Sequence, residues 1–306
     1  MLFQYLKAMQ GIVRDRSQRL LNPEDLIGYI NNARREIAMR TQCIRLIPPI
    51  SGAVQSVRVT AFGSGYTNPT VVISAPDIPL GQPVNPAGAQ AIANAIVVGG
   101  QIASISVSYG GVGYFNPTVT ITDPTGTGAT AVATTAPIST LNANQEEYYF
   151  SAIPVSQIPG VKSVFAIIGN YVIFNNLRYR VMTYSVSTYK SMIENYPFQY
   201  YYVPTACAQR GQGAGGSMLF YPIPSQKFPW EPDCLCLPAD LQDDSQIEAI
   251  PEPWNNIVPI LAASHAYEEM QNLNYARYWR EKTDEYCHKY SAYARPFGIA
   301  NIYGRY

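Results

Sequence analysis

Charge is scarce in this sequence, and histidine scarcer still. Of 306 residues only 14% are Asp, Glu, Lys or Arg, and two are His. Twenty-one basic side chains offset twenty-one acidic ones to a formal charge of zero. That balance removes the electrostatic case for a nucleic-acid or membrane partner, since phosphate affinity comes mainly from Lys and Arg. No apolar run approaches the ~20 residues of a membrane span. The opening MLFQYLKAMQGIVRDRSQRLLNPED has apolar residues at helical spacing but no continuous apolar core and no small-residue cleavage site, so synthesis in a cytoplasm is expected. Five cysteines, an odd number, then read as reduced thiols. Cys234 and Cys236 share one face of an expected strand, but Cys207, Cys287, His265 and His288 supply no zinc-ligand spacing. Neither metal nor cofactor is expected. There is no G-x-S-x-G elbow and no H-E-x-x-H, and His265 and His288 fall in expected helices, so the chain does not read as an enzyme.

What is abundant is tyrosine, 24 residues of it. Tyr suits surfaces that are apolar along the ring and wet at the tip, as interfaces are. A low-charge, Tyr-rich surface is poorly protected against association, which points to a subunit of an assembly.

The charge is also uneven. Residues 1–50 hold eight basic and four acidic side chains, whereas 51–140 hold only Arg58, Asp77 and Asp123. On either side of that block the pattern is helical. Asn22 is placed to cap a helix, Pro23 fits its first position, and Glu24 and Asp25 complement its positive end. Leu26, Ile30, Ala33 and Ile37 then make one stripe of a helix running to about Cys43. EPWNNIVPILAASHAYEEMQN and YARYWREKTDEYCHKYSAYAR read as two helices broken near Asn272–Asn274, with Pro296 ending the second. Between them YYFSAIP, SVFAIIGNYVIFNN, RYRVMTYS, FQYYYVPT, SMLFYPIP and DCLCLPADL read as antiparallel strands. RGQGAGGS at 210–217 lacks a Lys-Ser/Thr ending and a following helix, so it reads as a hairpin loop and not a phosphate cradle.

The block 51–140 repeats itself. AFGSGYTNPTVVI (61–73) returns as SYGGVGYFNPTVTI (108–121), pairing Gly63, Gly65, Tyr66 and Pro69 with Gly111, Gly113, Tyr114 and Pro117. Apolar residues alternate on both sides of each glycine pair, the mark of half-buried strands. The glycines permit positive φ in a bend, Tyr packs across it, and Pro starts the next strand. GAQAIANAIV and GATAVATTA follow as third strands; matching Gly88 with Gly128 makes the second linker eight residues shorter. A nucleotide fingerprint would lead into a helix instead. Two tandem β-units forming an inserted domain, with ends close together near Pro49 and Pro137, are expected.

The G-x-G-Y-x-x-P-T-V repeat resembles β-modules of bacteriophage virion proteins. RDRSQRLLNPEDLIGYINNARREIAMRTQCIR, LFYPIPSQKFPWEPDCLCLPADLQDD and IPEPWNNIVPILAASHAYEEMQNLNYARYWREKTDEY are similar to the head-to-tail adaptor proteins of short-tailed phages. That likeness implies a ring of about twelve copies beneath the portal in the virion neck, and a C-terminal extension reaching the portal. The ring would link the capsid to the tail tube or nozzle, and DNA would pass without specific binding. The expected fold is α+β: a discontinuous helical bundle (1–50 and 251–295), an inserted all-β domain (51–140) facing capsid or fibres, a β-rich part (141–250) and an extended tail (296–306). In that tail Phe297, Ile299, Ile302, Tyr303 and Tyr306 are too apolar to stay free, and they are the expected portal or neighbour contacts. An alternative is a carbohydrate- or receptor-binding virion protein using Tyr66 and Tyr114 as stacking platforms. Arg14, Arg16, Arg19, Arg34, Arg35, Arg40 and Arg45 are expected to pair with a neighbouring subunit or a partner's acidic surface more than with DNA. Asp240, Asp243, Asp244 and Glu248 are expected in a solvated loop.

Overall fold

The computed structural model describes residues 1–14, 21–77, 89–155, 158–175, 177–195 and 203–294, the side chains of 291–294 excepted. The protein is mixed α+β. Among the described residues the chain begins with helices Leu2–Val13 (α1) and Pro23–Thr41 (α2). Strands follow at Arg45–Leu46 (β1), Val54–Ser64 (β2), Thr70–Ile73 (β3), Ile92–Val98 (β4), Gln101–Tyr109 (β5), Val119–Thr122 (β6) and Thr127–Thr135 (β7). Next come Thr140–Leu141 (β8), Glu147–Tyr149 (β9), Val161–Phe174 (β10), Leu177–Tyr184 (β11), helix Val186–Asn195 (α3), Ala206–Arg210 (β12), Ser217–Tyr221 (β13) and Phe228–Pro238 (β14). Helices Val258–Glu269 (α4) and Leu273–Ala294 (α5) complete it. Contacts divide the chain into two compact units: Met1–Leu46 with Val155–Ala166 and Cys234–Tyr306, and Ile47–Pro154 with Ile167–Asp233.

In the first unit α4 is the buried element, and α1, α2 and α5 all pack on it. Its Ala262, Ala263, Ser264 and Ala266 are buried, and such small side chains allow close approach from several sides. The expected α2 stripe of Leu26, Ile30, Ala33 and Ile37 is buried. Pro23 opens the helix and Glu24 and Asp25 sit in its first turn, but the Asn22 side chain makes no cap bond; only its carbonyl takes the Leu26 N–H. α1 buries Leu2, Tyr5, Met9 and Val13, again one helical face. A break at Asn272 separates α4 from α5, as the sequence predicts.

In the second unit the strands are not all antiparallel. β11 and β12 run parallel, Met182 opposite Ala206, and α3 is the crossover that a parallel pair requires. The sequence reading missed α3, although Val186, Tyr189 and Ile193 have helical spacing. Tyr189 of that helix seals a cluster with Ala206, Ala208, Leu219 and Tyr221. β12 and β13 form the expected hairpin around RGQGAGGS, and YYFSAIP is only partly a strand, turning to a short 3-10 helix at Phe150–Ala152. Of the expected strand FQYYYVPT, residues 198–202 lie outside the described residues.

The repeated block is built differently from two tandem units. Its four-stranded sheet has the order β4-β5-β2-β7, and β3 pairs β6 separately. Equivalent strands of the two copies pair with each other (β2 with β5, β3 with β6), and each copy's third strand pairs with the other copy's first. The copies are interleaved about a local pseudo-two-fold. Pairing also corrects the register: Ala93 lies opposite Val107 and Ala131 opposite Val59, so Ala93, not Ala91, is the counterpart of Ala131. The glycine match of 88 with 128 is therefore two residues out; an even slip keeps every side chain on its expected face, so alternation alone could not reveal it. The ends of the block meet, with the Ser139 N–H donating to the Pro49 carbonyl at 2.8 Å.

The tyrosines set that register. Tyr114 is wholly buried; its hydroxyl accepts from the Ala91 N–H (2.8 Å) and donates to the Ser74 carbonyl (3.0 Å). Tyr66 is the counterpart in the other copy, its hydroxyl accepting from the Ala129 N–H at 3.0 Å. Each ring needs a neighbour without a side chain. Gly63, at φ +64°, would place a Cβ 2.5 Å from the Thr127 carbonyl and 2.6 Å from the Tyr66 ring, and at Gly111 a Cβ would overlap the Ala89 carbonyl. Gly99 also has positive φ but has open space around it. Gly99→Ala should therefore cost only the left-handed backbone penalty, about 1–2 kcal/mol. Gly63→Ala should cost about 1–3 kcal/mol more from overlap with the tyrosine and the facing strand. Chemical denaturation of the two variants measures the difference; equal costs would mean the Gly63–Tyr66 contact is not tight.

Candidate functional site

The polar groups buried in this protein hold its own segments together. Arg34, midway along α2, has no exposed surface. Its Nε and one terminal nitrogen donate to the two Glu248 oxygens at 2.9 and 2.8 Å. The other terminal nitrogen reaches Asn31 Oδ1 at 3.1 Å and the Ala239 carbonyl at 2.6 Å. Asn31 in turn bonds both the N–H and the carbonyl of Leu241, and Glu248 accepts from the Ile250 N–H. Burial, with the Glu248 carboxylate beside it, pushes the Tyr5 phenol far above its ordinary pKa. Fork-to-fork pairing of this kind satisfies a desolvated guanidinium.

This placement changes two readings. Arg34 pairs within its own chain, as does Arg35 with Asp240 at 3.7 Å, and Arg40 with Glu36 and Asp284; these three do not await a neighbour's carboxylates. Arg14 ends α1 in a left-handed conformation, and Arg16 and Arg19 lie outside the described residues. The acidic run does lie in a loop, and Asp243 and Asp244 are exposed there as expected, but Asp240 and Glu248 are drawn into the chain's own pairs. The Glu248 side chain is 6% exposed, Asp240 meets Lys162 at 2.8 Å, Asp243 accepts from the Ser245 N–H, and Asp244 accepts from the Phe3 N–H.

The second unit uses its two block carboxylates the same way, a role the sequence reading did not find. Asp123 Oδ2 accepts from the N–H groups of Thr67 (3.2 Å) and Asn68 (2.7 Å). Asp77 Oδ2 accepts from those of Phe115 (2.9 Å) and Asn116 (2.7 Å). Each acid closes the Tyr-x-Asn-Pro turn of the opposite copy. The signal was present: these are the only acids of the block, and each follows its copy's second strand. Desolvation works to raise the Asp123 carboxyl, but bonds from the Thr125 backbone and hydroxyl, Asn68 and Gly126 outweigh it and hold it well below the carboxylate range.

The remaining expected site residues fall as follows. Gly63, Gly65, Gly111 and Gly113 all have positive φ, and Pro69 immediately precedes β3, while Pro117 lies just before β6. Tyr66 and Tyr114 are buried with their hydroxyls bonded inside, so they are not stacking platforms for a sugar. Phe297, Ile299, Ile302, Tyr303 and Tyr306 lie outside the described residues. His265 stands 3.2 Å from Glu36 and 3.7 Å from Glu268 across α2 and α4, a helix-packing position. Cys234 and Cys236 are buried in β14; burial pushes the Cys236 thiol up to about 12 and the Cys207 thiol up to about 11, which makes both poor nucleophiles. Cys207 ends a buried chain in which Trp230 donates to Asn170 and Asn170 to the sulfur. A cavity of about 160 Å³ beside Trp230 is lined by Ser139, Thr140, Asn142 and Gln145 on one hand and by Ile138, Ala152 and Ile153 on the other. Among the described residues no three His, Cys, Asp or Glu side chains converge as metal ligands. No protein-family model and no curated protein matches this chain.

Two predictions follow from these charges. Arg34→Ala would strand a buried carboxylate and should lower stability by about 3–5 kcal/mol, whereas Arg34→Met with Glu248→Leu should recover most of that loss; denaturant titration compares them. Asp123 has a depressed folded pKa, so its stabilisation is complete above the unfolded value of about 3.9 and is lost as the pH falls below it. Asp123→Asn should melt below wild type at pH 7, and the gap should narrow steadily as the pH falls below about 4. A gap constant down to pH 2 would remove the carboxylate from the account.

Proposed function

We propose that this chain is a structural subunit of a bacteriophage neck, a head-to-tail adaptor whose copies close a ring of about twelve beneath the portal. The ring continues the DNA channel toward the tail tube or nozzle, and the subunit has no catalytic task. The observation that carries the reading is the likeness of three separated segments, within 14–45, 219–244 and 250–286, to the adaptor proteins of short-tailed phages. In this reading the chain ends form a discontinuous helical bundle (1–50 and 251–295), a β-rich part spans 141–250, and 51–140 is an insertion.

Three features support it. The first and third of those segments belong to one compact unit although most of the chain separates them. The residues flanking 51–140 meet at the Pro49–Ser139 hydrogen bond, as insertion into another domain demands. Arg34, Arg35 and Arg40 are occupied by carboxylates of their own chain, which suits a conduit that lets phosphates pass without gripping them. Ring closure is head-to-tail, one surface of a subunit meeting a different surface of the next. The apolar tail, with Phe297, Ile299, Ile302, Tyr303 and Tyr306, is the portal anchor, adding main-chain hydrogen bonds as an extended strand does.

Imaging of purified neck complexes tests the assignment: the chain should encircle the portal, and its absence there ends the proposal. Deleting 297–306 should leave folding intact and abolish portal attachment; a truncated chain that binds portal as wild type does would assign the anchor elsewhere.

A further inference from the structure

Ser139, just ahead of β8, is 2% exposed, and among the described residues its hydroxyl meets no hydrogen-bonding partner. Its backbone is fully engaged: the N–H donates to the Pro49 carbonyl, and the carbonyl accepts from the Trp230 N–H. A hydroxyl shut away from water without a partner costs free energy, and this one belongs to a residue lining the cavity of about 160 Å³ beside Trp230. Other polar groups of that lining are already bonded within the chain. Asn142 Nδ2 donates to Gln145 Oε1 at 2.9 Å, and Gln145 Nε2 to the Glu147 carbonyl at 2.8 Å. The Tyr148 hydroxyl accepts from the Asn142 N–H at 2.9 Å, and Trp230 Nε1 donates to Asn170. None of the lining residues is charged.

We infer that this cavity is a binding site for one neutral phenol ring, whose hydroxyl bonds the Ser139 Oγ. Size is the first argument, since a cavity of about 150 Å³ accommodates a single benzene ring. Chemistry is the second. A cluster of waters would need about two to four polar partners for each molecule, and Ile138, Ala152 and Ile153 of the lining offer no side-chain partner. A sugar would bring several hydroxyls to one idle group. An aliphatic or phenylalanine-like group would leave Ser139 unsatisfied, and a carboxylate or amine would find no counter-charge. A phenol matches on every count: one ring, one hydroxyl, and no charge at neutral pH. Tyr148 and Trp230 of the lining already form a tilted pair with centroids 5.8 Å apart, a contact that a further ring can extend. The site needs nothing from the neck assignment, so it stands or falls separately.

The probes are p-cresol, which is the side chain of tyrosine, and toluene, the same ring without the hydroxyl. Calorimetric titration into the full-length protein should show saturable binding of p-cresol. Ser139→Ala removes a hydroxyl with no partner among the described residues, so it should melt no lower than wild type. It should weaken p-cresol about three- to tenfold, the worth of one hydrogen bond, and leave toluene unchanged. Ala152→Phe, at an exposed position of the lining, should abolish binding of both. No binding of p-cresol to wild type, an equal response of the two probes to Ser139→Ala, or p-cresol binding that survives Ala152→Phe would each overturn the inference. Sedimentation velocity with and without p-cresol separates the two sources of such a ring. Self-association that p-cresol releases assigns the phenol to a tyrosine of another copy; sedimentation that p-cresol leaves unchanged assigns it to a free small phenol.

Discussion

A guanidinium shut away from water must find a partner for every donor it turns inward, and Arg34 does so at the junction of α2 with the loop from Ala239 to Ile250. Around it Asn31 clasps Leu241 by both backbone groups. Losing the charge on either side would leave the other desolvated and alone, a penalty larger than the pair's net worth. The first unit thus depends on a polar clasp as much as on the apolar stripe of α2 that surrounds it. In the second unit Arg178 grips Glu231 through Nε and one terminal nitrogen and Arg210 reaches Glu147, both at the surface. In a chain with so little charge, most of the charged side chains described in detail join residues far apart in sequence.

Local signals were the legible ones. The α2 stripe, the break at Asn272, the hairpin around RGQGAGGS and the inward and outward faces of the repeat strands all rest on periodicity or on turn chemistry between near neighbours, and all appear as read. Non-local outcomes were not legible. That the copies interleave depends on which strand completes which sheet, and both tandem and interleaved pairings satisfy the same alternation. The two-residue error in matching the third strands has the same origin: glycines suggested one alignment, while the buried tyrosine hydroxyls select another. The burial of Arg34 was hidden because its partner lies more than two hundred residues on, at Glu248. α3 was missed because its ten residues are flanked by strand-like, aromatic sequence.

For function, the most informative result is how many expected contact residues are engaged within the chain itself. Tyr66 and Tyr114 are pins of the block's register, and Arg34, Arg35 and Arg40 are internal ties. What the second unit leaves outward is mixed: Arg58, Arg178, Arg180, Lys190 and Arg210 are exposed along with the apolar row Ile92, Ile96 and Val98 of β4.

The interleaving of the repeats also fixes an order of events during synthesis. β2 emerges from the ribosome first but has no partner until β5 and β7 follow, and β3 must wait for β6. The one pairing available between immediate neighbours is β4 with β5, closed by the tight turn at Gly99–Gly100. The block therefore assembles from its middle outward, with that hairpin as the template and the flanking strands added last. Its first strand spends the whole interval as an exposed β-former with Arg58 its one charge, so the speed of translation through 65–135 bears on how long nascent chains can mispair.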